Sequence, residues 1–290
     1  MKRDERGTIV KYKARLVTRG FVQRKEELFV GVYVDDLNVT GARAADINSF
    51  KHEMAAHFKL SDLGALSYYL DIEVRQGKRS ISLGQRAYAE KLLERSGMAE
   101  CKSCATLMEE RLKLSKHSMA AKVDAMRYQS IIGGLRYLTH TRPNIAFMVG
   151  YVSRFMEDLR EDHWSAVKRL LRYVKGMLDQ AIIFPKSGDK GGLRLTVFNE
   201  APLKAKECEP ELTIFSDADM AGDIDGRRST SGVLVFFGEA PIAWQSLKQK
   251  IMALSTCEAE HVAAATMACQ AVWLRRLLGE AHPPALMVDN

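Results

Sequence analysis

No stretch of this 290-residue chain approaches the roughly 20 consecutive apolar residues that a membrane-spanning helix needs, which argues against a helical membrane protein. The opening residues, Met1-Lys2-Arg3-Asp4-Glu5-Arg6, are mostly charged, and no apolar segment follows them, so they do not read as a secretory signal. An intracellular location, cytoplasm or nucleus, is the expectation, with no membrane partner. Cysteine is scarce: five residues, an odd number, cannot form a disulfide framework. Cys101 and Cys104 make a C-x-x-C pair, but no second pair or C-x-x-H follows at the spacing of a zinc site, so free thiols are expected. Internal repeats are absent too, which excludes a solenoid.

What is present describes a globular chain. Hydrophobic residues make up 47% and charged residues 27%, enough apolar surface to build one large core or two medium ones. The net charge is +7 and the pI about 9.1, a balance that suits a polyanionic partner and is also compatible with ordinary solubility.

Residues 11–22 read as a basic, β-leaning segment turning at Gly20, and Arg24 to Glu27 as a short charged connector. Leu28 to Val34 is apolar and β-rich; Asp35-Asp36 interrupts it and Leu37 to Thr40 resumes, which predicts a hairpin with carboxylates at its tip. Ile47, Phe50, Met54 and Phe58 recur at helical spacing over 44–58. Residues 66–74 and 79–83 are expected to pair as strands around Gln76-Gly77-Lys78. Helical patterns occupy 85–96, 128–138, 144–156 and 162–175, with Pro143 just before the third, where a helix start tolerates it. A polar stretch, 186–210, reads as a linker. Strands over 212–215, 233–237 and 242–244, a helix over 257–278 and a strand over 286–288 then argue for an α/β sheet.

Adjacent carboxylates repel, so Asp35 and Asp36 beside an apolar hairpin call for a compensating cation, and a pair of Mg²⁺ ions suits phosphoryl transfer. The alternative is a polar turn, where aspartate is favoured anyway. The surrounding residues favour the first reading. Tyr33-Val34-Asp35-Asp36, flanked by Leu28-Phe29-Val30 and Thr40-Gly41, resembles the catalytic hairpin of reverse transcriptases. Phe58-Lys59-Leu60-Ser61-Asp62-Leu63-Gly64, Tyr69-Leu70-Asp71-Ile72-Glu73-Val74, Tyr128-Gln129-Ser130-Ile131-Ile132-Gly133-Gly134-Leu135 and Thr141-Arg142-Pro143-Asn144-Ile145-Ala146 are similar, in order, to the palm and thumb of copia-type retrotransposon Pol polyproteins. That family's polymerase uses a third carboxylate on an earlier strand. Arg24 to Glu27 leave no room for that strand, so the resemblance implies that polymerase activity is lost here.

A second acidic set follows the linker. Phe215-Ser216-Asp217-Ala218-Asp219 ends an apolar strand, Ser255 to Glu260 open the long helix, and Val288-Asp289 end the next strand. If the first and last of these strands run parallel through the helix, their carboxylates meet at one sheet edge. Residues 223–232, Trp244-Gln245-Ser246-Leu247-Lys248-Gln249 and Glu258-Ala259-Glu260 resemble the ribonuclease H domain of the same family. The resemblance assigns Asp217, Glu260 and Asp289, with Asp35 and Asp36 in the polymerase part, as catalytic metal ligands for Mg²⁺, acting on RNA, DNA and RNA–DNA hybrids. Glu258 and Glu260 point about 160° apart on a helix, so only one of them can face that site. The family has a further helix and strand after the position of Asp289, whereas this sequence ends at Asn290; a truncated ribonuclease H domain of weak or absent activity is the expectation.

Lys168, Arg172 and Lys175 share an arc on the helix 162–175, and Arg15 and Arg19 lie on the basic segment; all are candidate phosphate contacts, the alternative being solvated faces. The expected architecture is α/β. It comprises a fingers remnant (1–25), a palm remnant (26–84), a helical thumb or connection (85–185), the linker (186–210) and a ribonuclease H-like mixed sheet (211–290). A transposon-derived protein that binds nucleic acid without catalysis is the alternative function.

Overall fold

A computed structural model of the chain describes residues 2–3, 9–11, 28–34, 36–41, 43–185, 212–278 and 285–288. The chain divides into two compact units, Met1–Leu66 and Ser67–Asn290. In the first, β1 (Lys2–Arg3) pairs with β2 (Ile9–Lys11), and β3 (Leu28–Tyr33) pairs with β4 (Asp36–Gly41) in the expected hairpin. Val34 at its tip takes φ +52°, a left-handed conformation that costs an L-residue about 1–2 kcal/mol. Helix α1 (Ala44–His57) follows and buries none of its residues fully; Ile47, Phe50 and Met54 are half-buried along one face.

The second unit opens with an antiparallel sheet of order β5-β6-β7-β8, formed by Tyr68–Tyr69, Ile72–Gln76, Ser80–Gly84 and Ala181–Pro185. Two features depart from the sequence reading. Residues 66–74 are not one strand: Leu70 and Asp71 both take positive φ, +49° and +58°, and fold β5 back onto β6. Two successive left-handed residues are the signature of a tight primed turn, and the Asp71 carboxylate accepts from Tyr68 Oη across it at 2.6 Å. Strand β8, unanticipated, pairs Ile183 with Ser82 across a hundred residues of chain.

Between β7 and β8 the chain forms α2 (Arg86–Arg95), α3 (Ala125–Leu138), α4 (Ala146–Val152) and α5 (Glu161–Gly176). Helix α3 starts earlier than its apolar pattern because Asp124 caps it, accepting from Met126 N at 2.9 Å. Pro143 begins a short 3-10 turn (Pro143–Ile145) leading into α4. Leu92, Ile132, Leu135, Leu138, Met148, Leu170 and Leu171 are fully buried in the shared core, each contributing about 1.5–3 kcal/mol. A Cβ at Gly134 would lie 2.6 Å from Leu92 Cδ1, so the absence of a side chain there lets α3 close on α2. Arg142, 1% exposed, donates to the carbonyls of Met177 and Leu178 at 2.7 and 2.9 Å and staples the end of α5.

The remaining elements are β9 (Leu212–Ala218), β10 (Thr230–Phe237), β11 (Ala240–Lys248), α6 (Thr256–Leu278) and β12 (Ala285–Val288). They give a sheet of order β11-β10-β9-β12, antiparallel except that β12 runs parallel to β9, through α6. The helix buries Ala259, Ala263, Met267, Ala271 and Leu274 on a face where Leu212, Ile214, Val233 and Val235 are buried from the sheet. Edge strand β11 rests on the helical bundle, with Trp244 Nε1 donating to the Thr139 carbonyl at 2.8 Å. The fold class is α/β, as expected. The segment expected as a linker, 186–210, lies outside the described residues.

Candidate active site

Strand alternation places Leu212, Ile214 and Ser216 in the interior and leaves Asp217 exposed at the C-terminal end of β9. Asp217 pairs through its backbone with Gly232 of β10, and its side chain makes no hydrogen bond or ion pair to another described residue. Helix α6 begins at a reciprocal cap. Ser255 Oγ accepts from Glu258 N at 3.1 Å, and the Glu258 carboxylate accepts from Leu254 N at 2.7 Å, which commits Glu258 to the helix start. Two residues on, Glu260 lies beside β9. Its Oε1 accepts from the backbone N–H of Ala218, the neighbour of Asp217, at 3.0 Å. Its Oε2 is buried and has no hydrogen-bond partner among the described residues. Parallel pairing continues to Val288 opposite Ser216, one residue short of Asp217. Asp289 lies outside the described residues, and among those described no group of three or more acidic, histidine or cysteine side chains is gathered for a metal.

Polar residues around this edge had no role assigned to them by the sequence reading. Asp223, 4% exposed, accepts from Gly226 N at 2.9 Å and pairs with Lys248. Gln249, 5% exposed, donates from Nε2 to Ser231 Oγ and the Ala259 carbonyl at 3.0 and 2.8 Å, tying β10 to α6. Arg154 reaches in from the helical bundle and donates to Thr230 Oγ1 at 2.9 Å. Burial pushes its guanidinium below the usual arginine range, an effect that the carboxylates of Asp223 and Asp219 oppose. Asp223, Thr230 and Ser231 carry a sequence signal as members of the 223–232 motif, and Lys248 and Gln249 as members of the Trp244 to Gln249 motif; Arg154 carries none.

In the first unit, Asp36 is exposed at the start of β4, opposite Tyr33, while Asp35 lies outside the described residues. Arg15 and Arg19 lie outside them as well. On α5, Arg172 Nε donates to the Lys102 carbonyl at 2.9 Å and Lys175 Nζ to the Ala99 carbonyl at 2.6 Å, so both clamp the segment that follows α2 onto the helix. Lys168 pairs with Glu161 at 3.2 Å and lies 6.0 Å from the Trp164 ring centre. Cys101 and Cys104 are free thiols. No helix among the described residues is long and apolar enough to cross a membrane.

Comparison with known proteins adds to this geometry. A family model described as reverse transcriptase (RNA-dependent DNA polymerase) matches residues 24–110. The chain is 33% identical, over its whole length, to a retrovirus-related Pol polyprotein from transposon RE2 of Arabidopsis thaliana, and covers 20% of that protein. It is 36% identical, over 86% of its length, to the corresponding polyprotein from transposon TNT 1-94 of Nicotiana tabacum, covering 18% of it. An uncharacterized mitochondrial protein of Arabidopsis thaliana is 32% identical over 85% of this chain and 94% of its own length. The chain spans about a fifth of the length of the Pol polyproteins it matches.

Proposed function

The chain belongs to the copia-type Pol polyproteins of transposons and carries a reverse transcriptase-like segment, and on that footing we propose that its working centre is the acidic edge of the β9 sheet, a metal-dependent ribonuclease H-like site for the RNA strand of an RNA–DNA hybrid. The observation that carries this reading is Glu260. One carboxylate oxygen is held by Ala218 N–H, and the other is buried without a donor beside the strand that bears Asp217. A carboxylate oxygen buried in this way is costly unless a cation meets it. The strand order, with β12 parallel to β9 through α6, supports the reading because it brings Val288, the last described residue of β12, opposite Ser216 at that edge.

The donor set fits the proposed ion: carboxylate oxygens are the hard ligands that Mg²⁺ takes. Asp217, Glu260 and Asp289 would hold it, and when bound it supplies an activated water and charge stabilisation at the leaving oxygen. The protein's own contribution is positioning. Ala218 N–H fixes the Glu260 carboxylate, and the Ser255–Glu258 cap fixes the turn of helix from which Glu260 projects. Phosphate contacts are proposed for Lys168, Arg15 and Arg19; Lys168 is the residue of the α5 stripe whose amine does not clamp backbone.

The hairpin with Asp35 and Asp36 does not polymerise in this proposal, because Arg24 to Glu27 replace the strand that would bring a third carboxylate. Primer extension on an RNA template should therefore give no product with Mg²⁺ or Mn²⁺. An RNA–DNA hybrid labelled on its RNA strand tests the rest. Cleavage in Mg²⁺ should fall by about a hundredfold or more in Asp217→Asn and in Glu260→Gln. Hybrid cleavage indifferent to both substitutions overturns the assignment, and salt-dependent binding without cleavage favours a non-catalytic nucleic-acid-binding protein.

A further inference from the structure

The loop 219–229 leaves β9 two residues after Asp217 and returns at β10. Its ends are closed on each other: Asp219 N donates to the Thr230 carbonyl at 3.2 Å, Thr230 N to the Asp219 carboxylate, and Ala221 N to Ser229 Oγ at 3.1 Å. A Cβ at Gly222 would collide with the Asp219 carboxylate, so this closure also depends on a bare backbone there. Two further contacts come from the helical bundle. Arg154 sits in the 3-10 turn after α4 (Ser153–Phe155), with its guanidinium 5.2 Å from the Tyr151 ring centre and Nη2 on Thr230 Oγ1. On the far side of the loop, Asp225 accepts from Ser115 Oγ at 2.5 Å and Lys116 N at 2.8 Å.

The anchor for Asp225 is itself held. His163, fully buried on α5, accepts at Nδ1 from Arg160 N at 3.1 Å. That leaves the proton on Nε2, which donates to the Ser115 carbonyl at 2.9 Å. The loop beside the acidic edge is thus tied outside its own sheet at two places, the 3-10 turn after α4 and the segment between α2 and α3.

We propose that Arg154 is a positioning residue for the acidic site: together with Asp225 it fastens the 219–229 loop to the helical bundle and so holds Asp217 and Ala218 in register with Glu260. This rests on the ribonuclease reading above for its function and on contacts alone for its geometry. The physical need is clear. Metal ligands must be held within about half an ångström, and a strand end followed directly by a loop frays unless something pins it. The pairing of Ala218 with Ser231 is the last register contact of β9 with β10; beyond it the Arg154–Thr230–Asp219 chain takes over.

Amide hydrogen exchange on the full chain reads the tether without catalysis. In Arg154→Ala the amides of Asp219, Ala221 and Thr230 should exchange about tenfold faster, the effect of losing one buried hydrogen bond, while α3 and α5 stay as in the parent. Thr230→Val, which removes the acceptor and keeps the shape, should reproduce this, and the double variant should go no further than either single. In the hybrid assay both single variants should raise the Mg²⁺ concentration for half-maximal cleavage by about tenfold, with Arg154→Lys restoring most of the loss. Unchanged exchange over 219–230 in Arg154→Ala, or additive effects in the double variant, overturns the proposal. If the parent chain cuts no hybrid but exchange responds as expected, the tether stands and the ribonuclease reading alone falls.

Discussion

Replacing Glu260 by Gln separates what this side chain costs the fold from what it does for the site. A glutamine carbonyl can keep the bond from Ala218 N–H at 3.0 Å, so the link between α6 and β9 survives. What changes is the buried oxygen without a partner. An unsatisfied buried polar group costs about 1–3 kcal/mol, and more when charged, so exchanging carboxylate for amide should stabilise the metal-free protein by about 1 kcal/mol. In Mg²⁺ the order should reverse. For a site with a Kd of about 1 mM, roughly 10 mM Mg²⁺ stabilises the parent by about 1.4 kcal/mol, and the variant should gain almost nothing. The parent is then ahead by about 0.4 kcal/mol. Urea unfolding followed by tryptophan fluorescence, in EDTA and in Mg²⁺ at matched ionic strength, shows whether the curves cross; Trp244 and Trp273 report on this sheet and its helix. A variant less stable than the parent in EDTA, or one that gains as much from Mg²⁺, refutes the reasoning.

Other substitutions follow from the same geometry. Glu258→Ala should lose the cap at Leu254 N and about 1 kcal/mol of stability while keeping the full Mg²⁺ response; a lost response would move Glu258 into the site. Arg142→Met keeps the buried stem and strands the carbonyls of Met177 and Leu178, so the urea midpoint should fall by the equivalent of about 2–4 kcal/mol, and a loss below about 1 would contradict the staple. Burial alone would raise the Asp225 carboxyl, but bonds from Ser115 Oγ and Lys116 N outweigh it and hold the group below the ordinary carboxylate range. A depressed carboxyl contributes stability that is complete above its unfolded value of about 3.9 and is lost as pH falls through the lower folded value. Protection of the Lys116 amide, corrected for intrinsic exchange, should therefore persist from neutral pH down to about 4 and collapse below, and Asp225→Asn should remove that pH dependence.

Local order was legible in the residues themselves. The run from Leu28 to Thr40 broken by Asp35-Asp36 marks the β3–β4 hairpin, and Ser255 through Glu260 mark both the start of α6 and the rule that Glu258 and Glu260 face apart. The parallel pairing of β12 with β9 was foreseeable too, because a strand, a helix and a second strand have few compact arrangements. Tertiary structure alone decided the rest. Pairing of Ser82 with Ile183 depends on what the intervening bundle brings together, and no local pattern encodes it. The fold of β5 onto β6 rests on non-glycine residues at positive φ, a conformation that turn chemistry does not announce at Leu70 and Asp71. Arg172 and Lys175 share the arc expected of phosphate contacts, and both donate to carbonyls of the segment after α2, 70 or more positions away. Arg154 carries no pattern at all; its role exists because α4 delivers it to Thr230, 76 positions along the chain. Periodicity tells which face of an element turns inward, since that depends only on neighbours in sequence. What the inward or outward group then meets depends on partners brought close by packing, and that is where hydrogen bonds and buried charges are assigned.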